Sequence, residues 1–360
     1  MKEREPVTPE TLPPVSDSAV GAMQRIAVVV NGRAKSVNEE VISTLDRLMA
    51  GGDLFVSKSL SDARDIARLI ILRGYHTVLT GGGDGTFTVM VTEVVHEARR
   101  RSAPVPRFGL LKLGTGNALA WVVGASSTGT RDLQADVNRL MTDAGSRPIH
   151  LVEVEGWIAP FCGLGVDATM LGDYAKTRAV LARTPLARLS SGLVSYGIAA
   201  ITRTIPGSVF GPMPHVRVIN RGGEAFKIGA KGSRVGGAYG PGDTIYEGPA
   251  RIAAISTIPF YGFGFRVFPY ANERQDRMHL RVSTMTASPF IRNFKAIWRG
   301  EYESNEYLFD YLVESVEIEV DPSTALQVGG DYMGERSRVE ASITSEPIRL
   351  VDFYSPPSAS

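Results

Sequence analysis

Two glycine-rich stretches of this chain have the residue types and spacing for chemistry on a phosphate group. The first is "VLTGGGDGTFTVMV", Val78 to Val91, and the second is "LKLGTGNAL", Leu111 to Leu119. In each, an apolar run gives way to Gly, Thr or Asn just before a helical pattern begins. Successive backbone N–H groups in such turns form an anion-binding concavity, reinforced by the positive end of the following helix. Glycine suits the turn because a Cβ would hold a phosphate away from the backbone. A third strand end, "VVNGRAKS", brings Asn31 to the same edge. Two common fingerprints are missing. No G-x-x-x-x-G-K-[ST] run occurs, and the first strand-to-helix turn reads "NGRAKS" where a dinucleotide fold would place G-x-G-x-x-G. A single glycine turn can be no more than a tight connection, but two at one sheet edge point to a shared polyanionic ligand. Asp84, at the apex of the first loop, offers a carboxylate to orient Mg²⁺, to act as a general base, or to cap the helix at Thr86.

The elements that must position these loops follow a βαβαβα rhythm from Arg25. "RIAVVVNG", "LFVSKS", "HTVLTGGGD" and "RFGLLKLGTGN" read as strands with their loops. "VNEEVISTLDRLMAGG", "SLSDARDIARLIILRG" and "FTVMVTEVVHEARRR" read as helices between them. The rhythm predicts an open parallel sheet with helices on both faces. Beyond His150 come short β-type runs separated by Gly, Pro and Asn, among them "HLVEVEG", "HVRVINRG", "ARIAAIST", "MHLRVSTM", "VESVEIEV" and "SRVEASI". They predict an antiparallel, sandwich-like second domain, interrupted by a helical insertion at about residues 170–203. The expected division is a mobile tail over 1–23, an α/β domain carrying both glycine loops over 24–150 and a β-rich domain over 151–355.

Composition sets the outer limits. The 360 residues are 43% hydrophobic and 21% charged, with a formal net charge of +1. Nothing at that level points to nucleic acid, and attraction to an anionic surface must come from local patches. The single cysteine, Cys162, rules out an intrachain disulfide framework and fits a buried thiol in a reducing compartment. No apolar run reaches bilayer length, and the first residues lack the apolar core of a signal peptide. A cytoplasmic protein is the expectation. The five histidines (76, 96, 150, 215 and 279) lack ligand spacing, and none is assigned to a metal.

"GGGDGT" followed by "LGTGNALA" resembles the catalytic region of the diacylglycerol kinase and sphingosine kinase superfamily, which is related to the NAD kinases. Fainter likenesses are "FCGLGVDATMLGDY", "PYANERQDRMHLRV" and "LQVGGDYMGE". The resemblance implies an ATP-dependent, Mg²⁺-using kinase that phosphorylates a lipid hydroxyl. Gly82, Gly83, Asp84, Gly85 and Thr86 would then cradle the nucleotide phosphates. Gly114, Thr115, Gly116 and Asn117 would complete that site, with Asn31 at the family's Asn-Pro position. The lipid would enter the second domain. It also implies a substrate-head contact for Asp167 and a metal-site acid for Asp276, although Arg277 replaces the glycine that usually follows.

The chain departs from the family pattern at several points. Thr88 and Val89 stand where relatives carry Asn and Glu, and Glu93 is the nearest acid that could substitute, an exposed helix position being the plainer fate. Gly329 and Asp331 replace the two acids of a "DGE" segment. Asp331 either keeps the catalytic function with a shorter arm or is a hairpin-turn residue. The run "IPFYGFGFRVFPY" is either a strand lining an acyl-chain pocket or ordinary core. Basic residues of the insertion, Lys176, Arg178, Arg183 and Arg188, offer peripheral membrane contact or a solvated face. The expected activity is transfer of the ATP γ-phosphate to diacylglycerol, a sphingoid base or a related lipid alcohol. The alternatives are a nucleotide-binding regulator that has lost catalysis and an NAD kinase-like enzyme. Oligomeric state is left open, a homodimer included.

Overall fold

A computed structural model describes residues 25–34, 37–48, 53–114, 117–125, 130–141, 145–169, 171 and 213–354. The N-terminal tail and nearly all of the basic insertion lie outside the described residues. The first half follows the expected alternation: β1 (Ile26–Asn31), α1 (Glu39–Leu48), β2 (Leu54–Ser57), α2 (Leu60–Leu72), β3 (Thr77–Gly82), α3 (Asp84–Arg101), β4 (Arg107–Lys112), α4 (Ala118–Val123) and α5 (Thr130–Met141). Strands β1 and β3 are apolar and buried nearly throughout, as strands covered on both faces must be. Helix α3 buries Phe87, Met90, Val91, Val94, Val95 and Ala98, a stripe at helical spacing. It ends on Arg99, Arg100 and Arg101, where cations complement the dipole, and on Ser102 in a left-handed conformation.

The remaining strands are β5 (Ser146–Ile149), β6 (Val152–Val154), β7 (Trp157–Ala159), β8 (Phe161–Gly165), β9 (His215–Asn220), β10 (Ala225–Ile228), β11 (Arg234–Tyr239), β12 (Thr244–Pro249), β13 (Ile252–Ser256) and β14 (Met278–Ser283). Helix α6 (Ala287–Trp298) then precedes β15 (Leu308–Val313), β16 (Ser315–Val328), β17 (Asp331–Ile343) and β18 (Ile348–Val351). Twelve of the strands are joined by antiparallel hydrogen-bonded ladders, the antiparallel β-rich second half that the sequence predicts.

The domain boundary expected at residue 150 needs correction. The first sheet has the order β2-β1-β3-β4-β18-β5, so the chain returns to it after building the second. Strand β18 pairs parallel with β4 and antiparallel with β5. The two halves are also tied side by side. Thr92 of α3 exchanges hydrogen bonds with the Ile158 backbone, accepting from its N–H at 2.9 Å and donating to its carbonyl at 3.3 Å. Ile158, Phe161 and Ile258 of the second half belong to the core of the first.

Candidate active site

The two glycine loops meet backbone to backbone. A Cβ built on Gly114 would lie 2.2 Å from the Gly83 Cα, and one on Gly82 would lie 2.3 Å from the Thr86 hydroxyl. No side chain fits at either position, so the approach itself requires glycine. The Asn31 side-chain amide donates to Thr86 Oγ1 at 3.1 Å, linking the β1 end to the first turn of α3. Asn117 adopts φ 48°, a left-handed conformation that Asn tolerates, and its amide donates to the Gly114 carbonyl. Thr115 and Gly116 lie outside the described residues.

Asp84 opens α3, whose N-cap is Gly83 without a side-chain hydrogen bond. Its carboxylate does not cap its own helix. It accepts from the Ala118 N–H at 2.9 Å and the Leu119 N–H at 3.3 Å, so it caps α4, the helix after the second loop. One side chain thereby fixes the spacing of both glycine loops. Burial pushes its pKa up to about 6, against the two N–H bonds and with help from the Asp331 charge.

Asp331 begins β17 and is brought to this junction. A Cβ on Gly85 would sit 2.3 Å from its carboxylate oxygen, so the two residues are in direct contact. The carboxylate keeps one side open to solvent, yet the surrounding chain desolvates it enough to raise its pKa above the ordinary value. Its hairpin-turn role also holds. Gly329 and Gly330 form the turn with φ 57° and 86°, and their N–H groups donate to the Phe161 carbonyl (2.9 Å) and Gln327 Oε1 (3.0 Å).

Two of the departures from the family pattern are neighbours in space. A Cβ at Gly329 would lie 2.0 Å from Thr88 Oγ1, and that hydroxyl is buried without a hydrogen-bond partner among the described residues. Position 329 therefore has no room for an acid while Thr88 is present. Glu93 does not brace the loop, and it is not fully exposed either. It pairs with Arg64 at 3.2 Å.

Asp167 lies in a separate polar cluster. Its Oδ2 accepts from the Tyr261 hydroxyl at 3.1 Å and the Gln327 amide at 3.4 Å, while its buried Oδ1 has no partner among the described residues. Burial raises its pKa. Gln327 joins this cluster to the Gly329–Gly330 turn, because its amide oxygen accepts from the Gly330 N–H. Tyr261 and Gln327 are site residues missing from the sequence reading. The available signal was a glutamine inside the apolar run "ALQV", since a buried polar side chain requires partners.

Two expectations are corrected. Asp276 is occupied by guanidinium groups, Arg274 at 2.7 Å and Arg277 at 2.9 Å, which hold its pKa down. Among the described residues no group of three His, Cys, Asp or Glu side chains is placed to hold a metal. The aromatic run is not a strand, and its core reading holds in part. It is a loop with a short 3₁₀ turn at Gly262–Gly264, with Phe268 fully buried and Tyr261 turned to Asp167. Cys162 is buried as expected, and burial raises its pKa to about 12.

Residues 25–154 match the family model of the diacylglycerol kinase catalytic domain. The chain is 26% identical over 155 residues to a "Probable lipid kinase YegS-like" protein of Xanthomonas oryzae pv. oryzae, covering 41% of this chain and 48% of that one. A protein of the same name from Pseudomonas aeruginosa is 32% identical over 135 residues, covering 37% of this chain and 41% of the relative. The chain thus spans about half the length, or less, of these curated relatives. A solved diacylglycerol kinase structure from Bacillus anthracis str. Sterne superposes with a TM-score of 0.56 at 13% identity, covering 91% of this chain and 97% of that one. The expected likeness to the diacylglycerol kinase catalytic domain is carried by residues 25–154. The fold, an α/β domain followed by an antiparallel β-rich one, is shared over nearly the whole chain.

Proposed function

We propose that this protein is an ATP-dependent lipid kinase that transfers the γ-phosphate to the hydroxyl of diacylglycerol, a sphingoid base or a related lipid alcohol. The observation that carries this reading is the contact of Asp331 with Gly85, which sets a carboxylate against the first turn of the phosphate loop. Phosphoryl transfer needs chiefly positioning and neutralised oxygens, and a glycine cradle with two nearby acids supplies the protein's share. The uncapped N-terminus of α3 and the Gly82–Gly114 junction would receive the phosphates.

In this reading Asp84 is the positioning residue and Asp331 the base. The acceptor hydroxyl gives its proton to Asp331 as its oxygen bonds to the γ-phosphorus, and the bond to the departing ADP breaks. A raised pKa makes Asp331 the better proton acceptor. The donor set suits Mg²⁺, which takes one or two carboxylates together with substrate phosphates. Asp331, with Asp84 beside it, would hold the ion, which would neutralise phosphate charge. Asp167, with its unpartnered oxygen, would meet the acceptor's polar head.

The lapsed-regulator alternative rests on Gly329 and Val89, which stand where relatives carry acids. Asp331 already reaches the loop, which favours an active enzyme. The test is [γ-³²P]ATP with a panel of lipid alcohols, and NAD as a separate acceptor. The expected result is labelled lipid from the wild type and a loss of about 10²–10⁴-fold in Asp331→Asn. Label on NAD alone, or on no acceptor, overturns the proposal.

A further inference from the structure

Helix α6 carries a surface that phosphate transfer does not use. Its twelve residues, ASPFIRNFKAIW, include Arg292 and Lys295 and no acid. Pro289 and Ile297 are buried, whereas Ile291 is 66% exposed and Phe294 44%. Residues 291, 294 and 298 share one stripe of the helix. The rings form a ladder: Phe290 to Phe294 at 5.7 Å, Phe294 to Trp298 at 5.5 Å, and Trp298 stacked on Phe265 at 5.1 Å.

The ladder continues toward the active site. The loop carrying Phe265 packs its Gly264 against Trp121 of α4, which is 45% exposed. Phe260 lies 6.5 Å from the same indole, and Tyr261 reaches Asp167. Helix α4 is the one that Asp84 caps.

A contiguous exposed apolar surface marks a docking site, and its charge chooses the partner. Arg292, Lys295 and Arg299 are exposed and enter no ion pair among the described residues. Exposed rings interleaved with cations on a helix lacking acids match a lipid–water interface. There the rings enter the acyl boundary while the cations meet anionic headgroups.

We propose that α6, together with Phe265 and Trp121, is an interfacial docking surface that seats Ile291 and Phe294 in an anionic bilayer. This deepens the lipid-kinase reading and rests on it for its purpose, since docking would set the Tyr261 loop and Asp167 at the layer from which the acceptor arrives. Docking itself needs no nucleotide.

The experiment is co-sedimentation of the full chain, without ATP, with vesicles of phosphatidylcholine alone or mixed with phosphatidylglycerol. Brominated lipids add a readout, because they quench tryptophans that enter the bilayer. The mixed vesicles are expected to retain wild type and quench it, and high salt to release it. Ile291→Ser/Phe294→Ser and Arg292→Glu/Lys295→Glu are each expected to bind about tenfold more weakly or worse. Absence of binding to the mixed vesicles, or equal binding by wild type and both variants, overturns the proposal. Transfer to a water-soluble short-chain acceptor checks the variants' fold and should be unchanged. If vesicle binding follows the expected pattern while wild type phosphorylates no acceptor, the docking surface stands and the kinase reading falls.

Discussion

The Asp331 carboxylate rests against the α-carbon of Gly85, so a residue at the start of β17 completes a loop at the start of α3. Gly85→Ala tests this contact. The added methyl would lie 2.3 Å from the carboxylate oxygen and push Asp331 aside. Alanine favours a helix over glycine by roughly 0.5–1 kcal/mol. The expected outcome is kinase activity reduced by about 10²-fold or more with the melting temperature unchanged or slightly higher, checked by steady-state kinetics and thermal denaturation.

Asp84 makes a prediction about pH. Its pKa in the folded chain, about 6, exceeds the ordinary 3.8. Between those values the folded state therefore binds more protons than the unfolded state, and stability falls as pH rises through that window. Asp331 acts in the same direction. Melting temperature measured from pH 4 to 7 is expected to decline more steeply in wild type than in Asp84→Asn. Activity should rise with ionisation near pH 6, and Asp331→Asn should shift the Asp84 titration downward by removing a neighbouring charge.

The turn after β16 depends on two small groups fitting together. Gly329→Ala would place a residue with φ 57° under strain and a methyl 2.0 Å from Thr88 Oγ1. The expected loss is about 1–3 kcal/mol in urea unfolding. Thr88→Ala in the same chain removes the collision but not the strain, so it should restore part of that loss. An additive double mutant would show that the two residues do not interact. Gly329→Asp, which the sequence alone offers as a way to restore an acid, should destabilise the chain and not raise activity.

Tyr261→Phe removes the closer of the two side-chain donors to Asp167 while keeping the ring packed against Phe161 and Phe268. In the proposed enzyme it should raise KM for the lipid acceptor several-fold and leave KM for ATP unchanged. Equal changes in both constants would place Tyr261 outside acceptor recognition.

The glycine loops were legible because their pattern is local: consecutive glycines, a strand before them and a helix after them. Asp331 was legible as a residue but not as a neighbour of Gly85, since no short-range pattern reports which turn of a distant hairpin meets which helix. The sequence offers Asp84 as an Mg²⁺-orienting group or base and as a cap of its own helix, whereas in the structure it caps another helix. Helix α6 is hard to read in the sequence. It has no side-chain cap at Thr286, carries Pro289 in its first turn, and exposes apolar residues where a solvated face would place polar ones. Asp276 shows the opposite failure. A motif position was matched, but the neighbouring Arg274 and Arg277 had already neutralised it.

The return of β18 to the first sheet bears on how the chain is made. Strand β4 gains its outer neighbour only from Ile348–Val351, and β5 pairs with that same segment. On the ribosome the glycine loops emerge early, but the sheet beneath them cannot close until the second domain has been synthesised and its last strand released. Contacts of such sequence separation form late. Until then β4 presents an open edge of unpaired backbone. A chain cut between the two domains would keep that edge permanently, so the halves should not fold as separate modules.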